Sequence, residues 1–241
     1  MSRIPKISAE VAARAGAFVV LVNGRPAKTP RGNELVLPSA ALARAVAAEI
    51  EAMPATLAGK GLNDPSAAPN LRIAAGAIDV VAEADGRAAV AGELLGYIET
   101  DLVLIRATEP AALVAREDAL WGPLCAWFAD RFGVMLTCGR GVLAARQTPE
   151  VEDVVRRALD GIEPFGLAAL SLAVRASGSL VIGFALCSGR IDADAAYAAS
   201  VLEEKFQEEK WGADREAEKA RAVRHLDLAQ AERFLGLLTE K

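Results

Sequence analysis

Two carboxylates interrupt the apolar faces of predicted helices in this sequence. Asp101 lies on one such face, and Glu209 lies on another, next to Phe206. At helical spacing, the faces consist of Val90, Leu94, Tyr97, Asp101 and Leu104, and of Ala195, Ala199, Leu202, Phe206 and Glu209. Burying a carboxylate without a partner costs on the order of several kcal/mol, so each acid needs an arginine, solvent or a functional reason.

Three interpretations of these acids remain open. In the first, each acid reaches solvent or an arginine at a helix end. In the second, Asp101 and Glu209 form a catalytic acid–base pair, which requires that they meet in one pocket. In the third, acids and aromatics form a surface for a partner protein, with carboxylates fixing the partner and its register. Trp211 is then an exposed anchor for that partner, unless it packs against the last helix.

Other patterns that bind cofactors are weak or absent. Gly59-Lys60 is followed by Gly61, where a phosphate-binding loop needs Ser or Thr. The stretch "GRGVLA", Gly139 to Ala144, imitates a dinucleotide fingerprint, but Pro149 cuts short the helix that this motif must open. His225 is the single histidine, and no cysteine pair has metal-ligand spacing. We therefore expect no cofactor, no metal and no nucleotide.

The elements that must position these residues begin with a small sheet. "AFVVLVNGR" predicts a strand and a tight turn at Asn23-Gly24, and a strand around Lys6 to Glu10 is expected to pair with it. Ser39 is suited to cap a helix over Ala40 to Ala52, which we expect to cover the sheet. "GKGLNDPSAAP", Gly59 to Pro69, predicts a linker.

The remainder of the chain has mainly helical periodicity. We predict one helix from about Arg87 to Arg106, and another from Ala193 to Lys210 that Asp192 caps. Asp214 is expected to cap the last helix, and the stretch from Gly133 to Pro149 is either helical or an irregular hairpin. The predicted fold class is α+β, with a small antiparallel β-meander and a covering helix in residues 1–62 and a larger all-α bundle in residues 63–241.

Composition and charge limit the class of protein. The chain has 241 residues, 53% of them hydrophobic, and a net charge of −5, so it is long enough to bury a core. No basic block stands out, which argues against binding to nucleic acid or to anionic membranes. Cys125, Cys138 and Cys187 are expected to be reduced, buried thiols. The absence of a signal-like or transit-like start predicts a soluble protein of the cytosol.

Taken together, seven motifs in order resemble a known family, the ATP synthase assembly chaperones that bind the alpha subunit of the soluble catalytic head. The resemblance covers nearly the whole chain. The motifs are "GRPAKTP" (Gly24 to Pro30), "LVLPS" (Leu35 to Ser39), "RIAAGAID" (Arg72 to Asp79), "LLGYIETDLVLIRA" (Leu94 to Ala107), "WGPLCAWFADRFGV" (Trp121 to Val134), "SGSLVIGFAL" (Ser177 to Leu186) and "FQEEKWGAD" (Phe206 to Asp214).

The resemblance implies a small α+β domain joined to an orthogonal helical bundle, and a chaperone that holds the alpha subunit until the beta subunit replaces it. It implies a monomer in a bacterial cytosol, or less readily the mitochondrial matrix, with no nucleotide and no membrane insertion. The resemblance implies that the acidic residue of the last motif, Glu209 in this sequence, is functionally important. The implied partner-binding residues are Glu209, Trp211, Gln207, Asp214, Phe206, Asp101, Arg72 and Asp79.

This sequence also departs from the family pattern. Phe206 stands where a tryptophan is usual, Lys205 where an acid is usual, and Ile50 where a tryptophan usually follows the glutamate. Two alternatives to the chaperone function remain: an enzyme that uses Asp101 and Glu209, and a helical adaptor with another protein client. The enzyme predicts one deep pocket that joins two carboxylates with raised pKa values.

Overall fold

The computed structural model describes residues 7–53 and 68–240, which form an α+β fold with a small antiparallel sheet and many helices. The chain divides into two compact units. The first comprises Met1–Arg87, Pro164–Ala168 and Arg233–Lys241, and the second comprises Ala88–Glu163 and Ala169–Glu232. The predicted boundary after residue 62 and most of the predicted linker lie outside the described residues, so the boundary stays a prediction.

The sheet of the first unit has β2 (Ala17–Val22) at its centre. It pairs antiparallel with β1 (Ala9–Arg14), β3 (Arg25–Pro26) and β4 (Val36–Leu37). The predicted turn at Asn23-Gly24 is confirmed, with φ values of 49° and 76° that suit a tight hairpin. β1 extends further along the chain than the predicted strand, whose first residue, Lys6, lies outside the described range.

The helix α1 (Ala40–Ala52) covers this sheet, as the sequence predicts. The Ser39 hydroxyl accepts a hydrogen bond from the Leu42 N–H at 3.1 Å and so caps the helix. Leu42 and Val46 are fully buried, and α1 packs on β1 and β2. The apolar face of the meander is therefore closed by a helix from the same unit.

Two further helices follow in the chain, with a different break from the one predicted. Helix α2 (Pro69–Gly76) continues into a π-helical turn (Ala77–Val81), and α3 (Ala84–Gly96) follows after Ala82 and Glu83. The helix that is predicted to begin at about Arg87 begins at Ala84, so Gly86 lies within α3. A Cβ atom at Gly86 would lie 2.1 Å from the Val80 carbonyl oxygen, so this glycine permits a close backbone approach.

The prediction of one helix as far as Arg106 is also wrong, because α3 ends at Gly96. Two short 3₁₀ turns follow (Tyr97–Glu99 and Leu102–Leu104), and then the strand β5 (Ile105–Arg106). Asp101 adopts an extended conformation, and its carboxylate accepts a hydrogen bond from the Val103 N–H at 3.1 Å. This local bond competes with helix formation, so Asp101 does not lie on a helical face.

From Ala111 onward the chain is mostly helical. The helices are α4 (Ala111–Phe132), α5 (Pro149–Asp160), α6 (Pro164–Ser177), α7 (Leu180–Cys187), α8 (Ala193–Ser200), α9 (Leu202–Trp211) and α10 (Arg215–Thr239). The predicted single helix from Ala193 to Lys210 is two helices, because Val201 leaves helical geometry with φ −115° and ψ 12°. The caps at Asp192 and Asp214 are confirmed.

The core of the second unit surrounds α7, whose residues from Leu180 to Leu186 are all buried. Gly183 allows α6 to approach, since a Cβ atom there would lie 2.5 Å from the Val174 side chain. Trp121 of α4 is fully buried, and its indole N–H donates to the Ala199 carbonyl oxygen at 2.9 Å. No helix in the described ranges is long and apolar enough to cross a membrane.

The stretch from Gly133 to Pro149 is not a helix. Its strand β6 (Gly139–Arg140) pairs parallel with β5, and a bridge between Arg140 and Leu143 closes a tight turn. The irregular-hairpin alternative is therefore the nearer of the two predictions.

Candidate protein-binding surface

Helix α9 is held against α10 by a group of ion pairs. The Arg221 guanidinium, which is buried, lies 2.8 Å from a Glu208 carboxylate oxygen and 3.6 Å from Glu204. Arg224 adds a contact of 2.6 Å to Glu204. Because several charges share this network and one of them is buried, it orients α9 more firmly than isolated surface pairs would.

Glu209 lies on the side of α9 that meets α4. Its two carboxylate oxygens accept hydrogen bonds from the Arg116 guanidinium at 2.7 and 2.9 Å, in a bidentate geometry. The hydrogen bonds from Arg116 hold the pKa of Glu209 below its usual value. Both side chains remain about half exposed, so this pair is available to a partner.

Phe206 holds the side chains around Glu209 in position. Its ring is buried, and two cations lie over it: the Arg116 guanidinium at 5.0 Å and the Lys210 ammonium at 4.4 Å from the ring centroid. Cation–π contacts of this kind fix the positions of long, otherwise mobile side chains. Phe206 therefore organises the surface around Glu209, while its own ring is largely covered.

Trp211 ends α9 and is 78% exposed. It does not pack against α10 as the alternative interpretation requires, because Gly212, with φ 91°, turns the chain away before α10 begins. Gln207 is also exposed. Asp214 has a structural role, since its side chain accepts from the Glu216 N–H at 2.8 Å at the start of α10. Trp211 is thus an exposed aromatic in the last turn of α9, two residues after Glu209.

An apolar groove lies next to this ion pair, between α4 and the helices α8 and α9. It has a volume of about 510 Å³. Arg116 and Lys205 stand at its edge, and a smaller cleft of about 270 Å³ shares two of its residues. The residues that line the groove are Arg116, Ala119, Leu120, Tyr197, Ala198, Val201, Leu202 and Lys205. We call this region, with Glu209 and Trp211, the α9 surface.

Asp101 does not belong to the α9 surface. It is completely buried, and one carboxylate oxygen accepts from the N–H groups of Leu180 and Val181 at 2.7 and 3.1 Å. These are the first residues of α7, where a negative group is favoured by the helix dipole. Burial raises the pKa of Asp101 to about 6, although hydrogen bonds from Ser179 and from backbone N–H groups lower it. Direct contact between Asp101 and a partner is therefore excluded in this folded form.

Asp79 and Arg72 lie in the first unit. Asp79 is buried, and its carboxylate accepts from the Thr29 hydroxyl at 2.5 Å and the Asn33 amide at 2.8 Å. Arg31 adds a bond from its guanidinium to the Asp79 carbonyl oxygen at 2.7 Å. Arg72 lies on α2 and is partly buried. The structure gives Asp79 a clear structural role, which joins the loop before β4 to the π-helical turn.

The structure does not bring Asp101 and Glu209 together as an acid–base pair. Asp101 bonds to the start of α7, whereas Glu209 bonds to Arg116 and has a lowered pKa. Neither residue lines the clefts found between the described helices. Within the described ranges, no three His, Cys, Asp or Glu side chains are grouped as a metal site would need. Cys138 is exposed, so the expectation of three buried thiols is wrong for that residue.

Sequence reasoning missed Arg116 and the groove residues on α4. Arg116 and Glu209 are 93 positions apart, and no periodic pattern links them. Ala119 and Leu120 on α4 would have indicated a groove only once the packing of α8 was known.

Comparisons with known proteins agree with this architecture. The family model "ATP12 chaperone protein" matches residues 6–129. The chain is 25% identical over 206 residues to the mitochondrial protein atp12 of Schizosaccharomyces pombe, covering 82% of this chain and 69% of that protein.

Two solved structures are similar over almost their full lengths. Atp12 from Paracoccus denitrificans is 38% identical, with a TM-score of 0.87 and coverage of 98% of both chains. The Atu1473 protein from Agrobacterium tumefaciens is 32% identical, with a TM-score of 0.84 and coverage of 96% of this chain and 84% of that one. The chain therefore belongs to the ATP12 family of ATP synthase assembly chaperones.

Proposed function

We propose that this chain binds the unassembled alpha subunit of the ATP synthase catalytic head, prevents its aggregation and hands it to the beta subunit. The observation that carries the proposal is the α9 surface, where an apolar groove lies beside a half-exposed ion pair on a helix that ends in an exposed tryptophan. A subunit that awaits its partner exposes an apolar interface, and such surfaces aggregate. Family membership supports a role in assembly of the synthase.

The α9 surface suits a contact that must later be released. Its groove is shallow and lined by small apolar residues such as Ala119 and Ala198, which allow close approach but offer few deep anchors. Trp211 supplies one large apolar contact at the end of α9. The Arg116–Glu209 pair contributes specificity, because a mispaired partner would leave these charges unsatisfied.

The implied partner-binding residues then divide by role. Glu209, Trp211 and Gln207 contact the client, and Phe206 positions Arg116 beneath them. Asp214 and Asp101 act as positioning residues through the starts of α10 and α7. Asp79 and Arg72 stabilise the first unit. In this proposal the protein acts as a monomeric, non-enzymatic chaperone of a bacterial cytosol and uses no nucleotide or other cofactor.

Charge reversal on α9 tests this assignment. We expect Glu209→Lys to weaken binding of the purified alpha subunit by at least about tenfold, because it places a cation beside Arg116. Trp211→Ala is expected to weaken binding by a similar factor. The matched control is Glu216→Lys, which makes the same change of charge at an exposed residue of α10. Affinity is measured by pulldown and calorimetry, with folding checked by circular dichroism.

A paired reversal separates two roles of the ion pair. If Arg116→Glu restores the binding that Glu209→Lys removes, the pair orients the groove, and if it does not, Glu209 contacts the client directly. Undiminished binding by both Glu209→Lys and Trp211→Ala would remove these residues from the interface. An adaptor for another client would leave the alpha subunit unbound by the wild-type protein as well.

A further inference from the structure

The connection between α4 and α5 contains a tight turn. We call residues Gly141–Ala144 the tip. Strand β6 pairs with β5, and the Gly141 N–H donates to the Arg106 carbonyl oxygen at 2.8 Å. Gly139 has no room for a side chain, since a Cβ atom would lie 2.0 Å from the Leu143 carbonyl oxygen. The turn therefore depends on a close backbone approach that only glycine permits.

A buried glutamine fixes the base of this turn. The Gln147 amide oxygen accepts from the Thr137 N–H at 3.0 Å, and its NH₂ group donates to the Thr137 carbonyl oxygen at 2.8 Å. The same NH₂ group donates to the Ala145 carbonyl oxygen at 3.2 Å. Gln147 thus closes the two sides of the connection in the manner of a paired strand, which lowers the freedom of the tip.

This ordered segment presents apolar side chains to solvent. Val142 is 94% exposed and Leu143 is 73% exposed at the tip, and Met135 is 78% exposed nearby in the same connection. Isolated exposed apolar residues are ordinary, but two consecutive ones on a fixed turn form a preorganised apolar projection. Binding such a tip requires little further ordering of the chain, which favours affinity.

The same segment is positively charged within an acidic chain. The net charge of the protein is −5, yet no Asp or Glu occurs between Arg131 and Pro149. Arg131, Arg140 and Arg146 are all exposed, and none forms an ion pair in the described part of the chain. The segment that carries the tip therefore has three exposed guanidinium groups without carboxylate partners among the described residues.

We propose that the tip inserts into an apolar socket edged by carboxylates on the client alpha subunit, as a second contact in addition to the α9 surface. This inference depends on the proposed function. A stable protein–protein interface involves about 20–30 residues a side. The groove of the α9 surface is lined by eight residues, so a chaperone that covers a subunit interface needs further contacts.

A protein socket fits the tip better than a lipid surface does. The tip contains no aromatic residue, whereas segments that insert at membrane interfaces favour tryptophan, tyrosine and phenylalanine. The Val142 N–H makes no hydrogen bond within the described residues, and hydrocarbon would leave it unsatisfied. A protein can supply an acceptor for this N–H and carboxylates for the arginines.

The test replaces the apolar side chains of the tip without changing the turn. We expect the double variant Val142→Ser, Leu143→Ser to bind the purified alpha subunit at least about tenfold more weakly than wild type, through faster dissociation. The matched control is Val223→Ser, Leu226→Ser, which alters two exposed apolar residues of α10 and should bind as wild type does. Thermal unfolding of each variant checks that the fold is kept.

A second set of variants tests whether the arginines near the tip contribute to binding. Arg140→Glu with Arg146→Glu should weaken binding and reduce its dependence on salt concentration, because two ionic contacts are lost. Photo-crosslinking from an unnatural residue at position 142 should yield a covalent adduct with the alpha subunit.

The outcomes distinguish this inference from the proposed function. If wild type fails to bind the alpha subunit, both are overturned. If wild type binds and the tip variant binds equally well without a crosslink, only the second contact is overturned. If the tip variant loses binding to vesicles of phosphatidylglycerol but keeps binding to the alpha subunit, the tip recognises lipid and the proposal is wrong.

Discussion

Glu117 illustrates how much a single buried carboxyl group can matter at the residue scale. The side chain lies wholly buried on α4, and one oxygen accepts from the Ala107 N–H at 2.9 Å. The other oxygen has no hydrogen-bond partner among the described residues. Burial, together with the neighbouring Glu203 carboxyl group, raises the pKa of Glu117 to about 7, against the lowering effects of Ala107 and Arg106.

The raised pKa of Glu117 predicts a loss of stability on the alkaline side. Folding favours the protonated form, so its contribution is fully present below the unfolded pKa of 4.5 and is lost as pH rises through about 7. We expect Glu117→Gln to increase the free energy of unfolding at pH 8.5 by on the order of 1–3 kcal/mol relative to wild type. Urea unfolding of both proteins at pH 5 and at pH 8.5 would measure this difference in the free energy of unfolding.

The comparison at pH 5 serves as the internal control for Glu117→Gln. At that pH the wild-type side chain is protonated, and the two proteins should differ little. Asp101, whose raised pKa of about 6 acts in the same direction, is unchanged in both proteins. An equal difference at pH 5 and pH 8.5 would contradict the account.

At the scale of elements, buried carboxylates join segments that are distant in the chain. Asp79 holds the loop from Thr29 to Asn33, about fifty residues earlier, through side-chain hydrogen bonds. Asp101 holds the start of α7, 79 residues later, through the Leu180 N–H. In both places the carboxylate satisfies donors that would otherwise be buried without partners.

Removal of the Asp79 carboxylate should loosen the first unit. Asp79→Ala leaves the Thr29 hydroxyl and the Asn33 amide without their acceptor, so we expect a loss of about 2–4 kcal/mol in the free energy of unfolding. Asp85→Ala, at an exposed carboxylate in the first turn of α3, should cost about 0.5 kcal/mol or less. Equal effects of the two substitutions on chemical denaturation would refute the structural role of Asp79.

Local signals predicted elements well where the deciding contacts are local. Ser39 caps α1 through a residue three positions away, and Asn23-Gly24 adopts the positive φ values that its residue types favour, so both were evident from sequence. The end of α3 was not, because the helical spacing of apolar residues continues past Gly96 to Leu104. Asp101 instead caps the second 3₁₀ turn through the Val103 N–H and bonds to the start of α7 far along the chain, which periodicity does not reveal.

The candidate site, too, could be predicted only where its residues are close together in the sequence. Glu209, Phe206 and Trp211 are close in sequence and were identified together, mainly through the family motif that they form. Arg116, which completes the ion pair and the edge of the groove, comes from another helix. Its importance depends on the packing of α4 against α9, for which the sequence carries no short-range signal.

For the whole molecule, the proposed function is that of an acidic chaperone with a single client. The α9 surface and the tip both lie in the second unit, between Ala88 and Glu232. The α9 surface has an apolar groove with a positioned ion pair. The tip is an apolar projection in a segment whose arginines form no ion pair among the described residues. Such surfaces would cover the aggregation-prone interface of a subunit without enclosing it, which leaves the beta subunit able to displace the chaperone.

Co-expression of this chain with the alpha subunit alone tests the proposed client. We expect more soluble alpha subunit, which co-elutes with the chain, and we expect added beta subunit to release it. Co-expression with the beta subunit alone is the control for selectivity and should give no co-elution. Alpha subunit that stays as insoluble with the chain as without it would contradict the account.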